Sequence, residues 1–445
     1  MTATATDPVA PAPPETPAPE PSDIPSAAAS GRPAGLDAAL RSALLRGLRD
    51  QPGGSLTLVD ADGAHALGRP RSPADPEATV TLHSPAAYRA LARGSRGFAE
   101  SYADGLWDTD DLVALVRVAA RWFGRLDPWR ERYASLTDPV RRLAAATRSN
   151  TRLRSRRNIE RHYDLSNEFF ALVLDETMGY SCAYYERPDQ PPVEASRANL
   201  DRVCRLLDLQ PGDRLLELGS GWGGLAVHAA RHYGAHVSTV TISRNQRDHI
   251  DRIAREAAVS DRVEVLLSDY RDVRGSWDKA VSLEMIESIG PQHVDRFISQ
   301  CGRLLRPDGL LLIQAITTTD RLFRIERYRR TFLNELIFPG GFTPSLEVIL
   351  DAAGRTTDLR TIAVYDITEH YPPTLRAWRD RLQRNWPAIQ RLGGFDERFR
   401  RLWTLYFAYC EAGFAERRVQ DRQILLAGPQ RRDENRLLPL AAPSV

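Results

Sequence analysis

The stretch "LLELGSGWGGLAVHAA", residues 215 to 230, constrains this chain more than any other. A short apolar run, four glycines within six positions (Gly219, Gly221, Gly223 and Gly224) and a helical run read as a buried strand turning through a glycine loop into a helix. Such a loop lets a ligand come close to the backbone. Gly219-x-Gly221-x-x-Gly224 by itself is shared by several nucleotide-binding classes, so its neighbours must decide between them. A dinucleotide site carries an acid about 20 positions on, at the end of the next strand, to hold a ribose hydroxyl. Here that strand ends "VSTVTISRNQ", without an acid, whereas Glu217 stands directly before the first glycine. An acid-x-Gly-x-Gly strand end suits S-adenosylmethionine, which has no pyrophosphate to neutralise and an amino group that a carboxylate can serve. Asp269, after "VEVLL", stands where such folds contact the adenine amine. A glycine turn that only packs strand on helix is the weaker reading beside Trp222 and in this strand-loop-helix context.

From Leu206 onward the chain alternates as a doubly wound sheet does. "RLLEL", "HVSTVTI", "VEVLL", "DKAVSLEM" and "LLLIQAI" read as strands, separated by helical patterns such as "DHIDRIAREAA" and "HVDRFISQCGRLL". Helical material with irregular interruptions follows from Thr319 to Asn385. "ERFRRLWTLYFAYCEAGFAERRVQDRQILLAG" then supplies a last helix and a strand that closes the sheet. The expectation is an α/β fold with a mostly parallel sheet and helical insertions, plus a smaller N-terminal domain. In the latter, "GSLTLVDADGAHALG" reads as a hairpin and "FAESYADGLWDTDDLVALVRVAARWF" as a helix with acidic residues near its start. The divisions are a disordered Pro/Ala-rich tail (1–35), a small domain (36–135), an Arg-rich linker (136–160), a catalytic domain (161–428) and a flexible tail (429–445).

At 445 residues the chain exceeds the size, about 250 to 300 residues, at which single cores stop growing. Its 60 basic and 58 acidic residues nearly balance, at +2, which excludes a globally basic nucleic-acid binder and leaves room for local patches. One such patch is Arg141 to Arg161, with eight arginines against the single acid Glu160; it reads as a solvated linker or as a surface for anionic lipid head groups. Cys182, Cys204, Cys301 and Cys410 form no CxxC pair, so neither a disulfide framework nor a metal site is indicated, and a reducing, cytoplasmic setting is expected. No apolar stretch reaches the roughly 20 residues of a membrane span, so any membrane contact is expected to be peripheral, at the inner face.

Several motifs in order resemble one family closely: "RHYDLSNEFFALVLDETMGYSCAYYE", "GSGWGGLA", "VTISRNQ", "SLEMIESIG", "IFPGGFTPS", "HYPPTLRAWRDRL" and "FAYCEAGF". The family is that of the cyclopropane-fatty-acyl-phospholipid and mycolic-acid cyclopropane synthases. The resemblance spans roughly Asn158 to Leu426, and "FAESYADGLWDTDDL" looks like the small N-terminal domain of the longer members. It implies a Rossmann-like class I methyltransferase fold with a seven-stranded sheet, and methyl transfer from S-adenosylmethionine to a cis double bond of an acyl chain. By matched motif, Tyr180, Ser181, Gly219, Trp222, Thr241 and Gln246 would line the S-adenosylmethionine site, with Gln246 holding the ribose and Tyr270 beside the adenine. Members also bind a bicarbonate ion as general base, and its cradle maps to Cys182 (mainly its backbone), Glu287, Gln314, Ile316 and Tyr371. A small exchangeable anion suits that task, because a side-chain carboxylate beside a carbocation is open to alkylation, whereas an ion can be replaced. Glu287 is expected to orient the ion and Tyr371 to donate a hydrogen bond to it. Members are often dimers, so a second copy is an expected partner by resemblance alone.

Three positions depart from the best-known ring-forming enzymes. Gln314 stands for a His and carries no titratable proton, Ser288 stands for the His after the family's glutamate, and Glu176 stands where many members have Pro. "LDETM", "EMIE" and "IQAIT" are closer to an actinobacterial branch that includes makers of 10-methylene fatty acids, where a hydride shift precedes proton loss. A carboxylate at Glu176 would then tilt the partition, whereas "YSCAYYE" points to ring formation. The leading expectation is a cyclopropane product on unsaturated phospholipid acyl chains. A methylene product on the same substrate is the alternative, and methylation of a small-molecule amine is a second alternative.

Overall fold

The computed structural model describes residues 32–132 and 166–432. The Pro/Ala-rich start to residue 31, the Arg141–Arg161 patch and the residues from 433 on lie outside the described residues.

Two sheets organise the described chain. The first has four strands, β1 (Ser55–Asp60), β2 (Gly63–Gly68), β3 (Glu77–Leu82) and β4 (Trp107–Thr109), in the order β2-β1-β3-β4. The β1–β2 hairpin is antiparallel with Asp60 opposite Gly63, as the alternation of "GSLTLVDADGAHALG" predicts. The single helix expected over "FAESYADGLWDTDDLVALVRVAARWF" is instead two helices, Ser95–Ala103 and Leu112–Gly124, with β4 between them. Gly105 takes a left-handed φ of 72° just after the first helix, and the Asp111 side chain caps the second by accepting from Ala114 N at 2.9 Å. The acids taken for a first helical turn therefore mark a turn and an N-cap.

The second sheet has seven strands: β5 (Arg214–Leu218), β6 (His236–Thr241), β7 (Val263–Leu267), β8 (Trp277–Leu283), β9 (Leu305–Thr317), β10 (Arg360–Asp366) and β11 (Gln420–Ala427). Their order is β10-β11-β9-β8-β5-β6-β7, and only β11 runs against its neighbours. The central strands read as apolar runs because helices cover both faces; four of the five residues of β5 are buried. Strand β11 does not simply close an edge. It is wedged between β9 and β10, pairing Gln423 with Gln314 and Asp421 with Ile316.

The helices Tyr371–Arg384 and Glu397–Ala415 tie the two sheets together. A single apolar core runs from Leu58, Leu82 and Trp107 of the small sheet through Trp378, Trp403 and Phe407 of these helices. Around it, Glu416 accepts from Arg117 Nε at 2.8 Å and Arg121 Nε at 2.7 Å, and the Arg401 guanidinium lies 4.1 Å over the Tyr102 ring. The small sheet is thereby packed against the large one.

Candidate active site

The glycine loop behaves as its spacing demands. Gly219 has a φ of 92°, open to glycine but strained for other residues, and a Cβ on Gly224 would lie 2.6 Å from the carbonyl oxygen of Thr177. The loop is thus pressed against the segment Thr177–Ser181, and both line one cavity of about 1270 Å³. Glu217, Gly219, Gly221, Trp222, Thr241, Gln246, Asp269, Tyr270, Tyr180 and Ser181 all border it, so the fold brings these expected cofactor residues together. Gly223 does not border it. Its φ of 84° turns the chain into the helix Gly224–Tyr233, and a Cβ there would meet Ile250 at 2.7 Å, so its part is in packing.

Each polar group in this wall is held by a neighbour. Glu217 is fully buried, its Oε2 accepts from the Thr239 hydroxyl, and burial pushes its carboxyl up to about 8. Thr241 Oγ1 donates to Gln246 Oε1 at 2.7 Å, which orients that amide at the start of the helix Arg244–Glu256. Asp269 is forked by Arg271, from Nε at 2.7 Å and Nη2 at 2.5 Å, and also accepts from Arg271 N at 3.0 Å, which fixes its carboxylate at the cavity wall. Tyr270 packs edge-on against Phe297 at 5.4 Å. A glycine-lined approach, a carboxyl for an amine and an aromatic wall fit S-adenosylmethionine. Bound there, it would supply the electrophilic methyl group.

The second half of the site holds the acid–base groups. Tyr371, stacked on Phe414 at 4.1 Å, donates from its hydroxyl to Glu284 Oε2 at 2.5 Å. Cys182 N donates to Glu284 Oε1 at 3.0 Å, and Gln314 Nε2 donates to the same oxygen at 2.9 Å. Gln314 is fixed in turn by Asn199 Nδ2 and Gln423 Nε2 on its Oε1, and its Nε2 also reaches Asp421 Oδ2 at 3.2 Å. Three of the cradle residues expected for a bicarbonate ion therefore converge as foreseen, but on a carboxylate of the chain itself. Their donors are spent on Glu284, so the residues present do not fit a separate anion at that place. Glu287 lies beside them with a different partner: its Oε1 accepts from Ile316 N at 2.6 Å, while its Oε2 has no partner among the described residues. Burial, with the Glu284 carboxyl adding repulsion, pushes Glu287 up to about 8.

Glu176 is taken out of the site. Its side chain is 77% exposed, pairs with Arg197 at 2.9 Å, and does not border the cavity, so it has no contact through which to tilt a product ratio. Ser288 borders the cavity and donates to Met285 O at 2.7 Å. Sequence reasoning missed Glu284, Asp421, Asn199 and Gln423. The only local signal was "EMIE", which sets two acids three positions apart at the end of β8.

From the glycine loop the cavity continues past Glu284 and Tyr371 into apolar walls. Leu375, Trp378 and Phe414 line it in the large unit, and Leu58, Leu82 and Phe98 line it in the small one.

Comparison with known proteins agrees with this architecture. The sequence profile of the mycolic acid cyclopropane synthetase family matches residues 150–424. A tuberculostearic acid methyltransferase from Mycobacterium tuberculosis is 39% identical over 373 residues, covering 81% of this chain and 84% of that protein. The cyclopropane-fatty-acyl-phospholipid synthase of Escherichia coli is 33% identical over 341 residues, covering 76% and 85% respectively. Among solved structures, a mycolic acid cyclopropane synthase complexed with SAH and CTAB superposes with a TM-score of 0.57 at 31% identity, over 61% of this chain and 98% of that one.

Proposed function

Given that the chain belongs to the mycolic acid cyclopropane synthetase family and is an S-adenosylmethionine-dependent methyltransferase of that type, we propose that its acceptor is a cis double bond in a phospholipid acyl chain and its product a cyclopropane. The cavity carries this reading. Ligand pockets ordinarily measure about 300 to 1,000 Å³, and at about 1270 Å³ this one has room for the cofactor and a chain beyond it. Its far walls are aliphatic and aromatic, and each methylene moved into them from water gains about 0.8 kcal/mol. An amine acceptor would need a closed polar pocket, which these walls do not provide.

The membrane is reached from one side. Phe123 borders the cavity yet is 55% exposed, and Leu126 and Trp129 beside it are 49% and 70% exposed. Such a patch, with Arg125 and Arg132 close in sequence, suits peripheral docking of an enzyme to an anionic lipid surface. Among the described residues no helix is long and apolar enough to cross a membrane.

A second reading is favoured by a specific observation: the tuberculostearic acid methyltransferase is 39% identical to this chain, against 33% for the cyclopropane-fatty-acyl-phospholipid synthase. In this second reading the cation undergoes a hydride shift before the proton leaves, giving a 10-methylene chain on the same substrate. The test is expression in a bacterium with oleoyl phospholipids and no cyclopropane synthase, followed by gas chromatography and mass spectrometry of the fatty acid methyl esters. A product one CH₂ heavier is expected, and its retention separates ring from methylene. No product from folded, cofactor-binding protein would mean that the acceptor is wrong.

A further inference from the structure

We propose that Glu284 takes the place of a bicarbonate ion and is itself the general base that removes the proton from the transferred methyl carbon. This rests on the reading that the acceptor is an alkene.

Three observations converge on it. First, the donors around Glu284 form a complete anion cradle: a backbone N–H, an amide and a phenol, all aimed at one carboxylate. Oε1 accepts twice and Oε2 once, which leaves a lone pair on Oε2 for an incoming proton. Second, Glu284 borders the same cavity as the cofactor wall, with Gly219 and Glu287. Third, its backbone is held at a φ of 50°, a region strained for a side-chain-bearing residue. Such strain persists where the surroundings enforce it, commonly at active sites. Here the Glu284 N–H donates to Gln314 O at 2.8 Å, continuing the β8–β9 ladder one residue past the strand, which holds the turn in place.

The surrounding acids decide which one is ionised. Asp421, buried on β11, is raised well above the carboxylate range by burial and by Glu284 and Glu287. Glu284 is also raised by burial, but Tyr371, Cys182 N, Gln314 and Asp421 all favour its charged form. The group best able to accept a proton is therefore the one that the cradle holds.

The step balances without another reactant. The alkene π pair forms the new C–C bond to the sulfonium methyl, the C–S bond breaks with its pair going to sulfur, and S-adenosylhomocysteine leaves. Glu284 Oε2 then takes a proton from the new methyl carbon, and the freed C–H pair closes the ring or, after a hydride shift, the exocyclic double bond. Alkylation of the base is avoided by position. A proton is taken at hydrogen-bond distance, whereas an ester needs oxygen and carbon at bonding distance, and three donors hold the carboxylate back.

The test has an activity arm and a binding arm. Wild-type turnover is expected to be unchanged in buffer stripped of carbon dioxide, while Glu284→Gln loses about 100-fold or more in kcat with its Kd for S-adenosylmethionine kept within about threefold. A wild type that slows without bicarbonate and recovers with it, or a Gln variant that retains turnover, would overturn the proposal. In Glu284→Gly, which empties the cradle and relieves the strained φ, ¹³C-bicarbonate is expected to bind by NMR line broadening and to restore turnover, whereas the wild type binds none. Equal binding by both, or binding in the variant without restored turnover, counts against it. The binding arm needs no lipid, so it still reports on Glu284 if the acceptor is wrong.

Discussion

Glu287→Gln tests the electrostatics of the site through folding stability. Glu287 is partly buried in the cavity wall with its Oε2 shielded from solvent, keeps one hydrogen-bond donor on Oε1, and is raised from 4.5 in the unfolded chain to about 8 in the native state. A carboxyl raised on folding is protonated in the native state while the unfolded chain ionises. Its contribution to stability is therefore fully present below pH 4.5 and is lost as pH rises to 8, where the native state ionises too. At about 1.4 kcal/mol per pH unit, roughly 3 to 4 kcal/mol of stability disappears between pH 5 and pH 8. Glutamine keeps the acceptor for Ile316 N and does not titrate. In urea denaturation the variant, compared with wild type, is thus expected to gain about 3 kcal/mol more at pH 8 than at pH 5. In the same protein, the Kd for S-adenosylmethionine should stay near the wild-type value while turnover falls. Parallel stability curves for the two proteins across that range would refute the assignment of a neutral Glu287. Equal losses of binding and turnover would refute its place beside the reacting groups.

Other outcomes follow from the same geometry. Because burial raises Glu217 to about 8, S-adenosylmethionine binding at pH 7 should release close to one proton in calorimetry across buffers of different ionisation enthalpy; Glu217→Gln should remove that release, and an unchanged release would exclude Glu217 as the amine's partner. Gly224→Ala should weaken cofactor binding about tenfold or more, since its Cβ would sit 2.6 Å from Thr177 O and must displace the Thr177–Ser181 wall; a Kd within twofold would show that the wall yields freely. Phe123→Asp with Trp129→Asp should cut sedimentation with anionic vesicles several-fold without lowering the melting temperature, given their exposure; unchanged sedimentation would move the docking face elsewhere. Glu176→Pro should leave the ratio of ring to methylene product unchanged, because Glu176 faces solvent against Arg197; a shifted ratio would restore the role first expected of it.

What the sequence determined by itself is what adjacent residues determine together. β5 and β7 fall on "RLLEL" and "VEVLL" to the residue, the hairpin turns where "DADG" places it, and the glycine loop enters its helix where the spacing requires. Strand periodicity, turn chemistry and capping act over a few positions, so they are legible in order along the chain. The S-adenosylmethionine wall was legible for the same reason: Glu217 to Trp222, Thr241 to Gln246 and Asp269 to Tyr270 each sit at the end of a strand whose place was clear. The base was not. Glu284 meets Gln314 across 30 residues and Gln314 meets Asp421 across 107 because β8, β9 and β11 lie side by side, and Glu284 meets Cys182 across 102 because the segment before the helix Pro192–Leu206 packs onto the end of β8. In the linear chain Glu284 and Glu287 are two acids in "EMIE", and the family resemblance singles out only Glu287. Only the turn after β8, which sends one carboxylate into the cradle and leaves the other on Ile316 N, tells them apart, because packing and desolvation are properties of the assembled sheet.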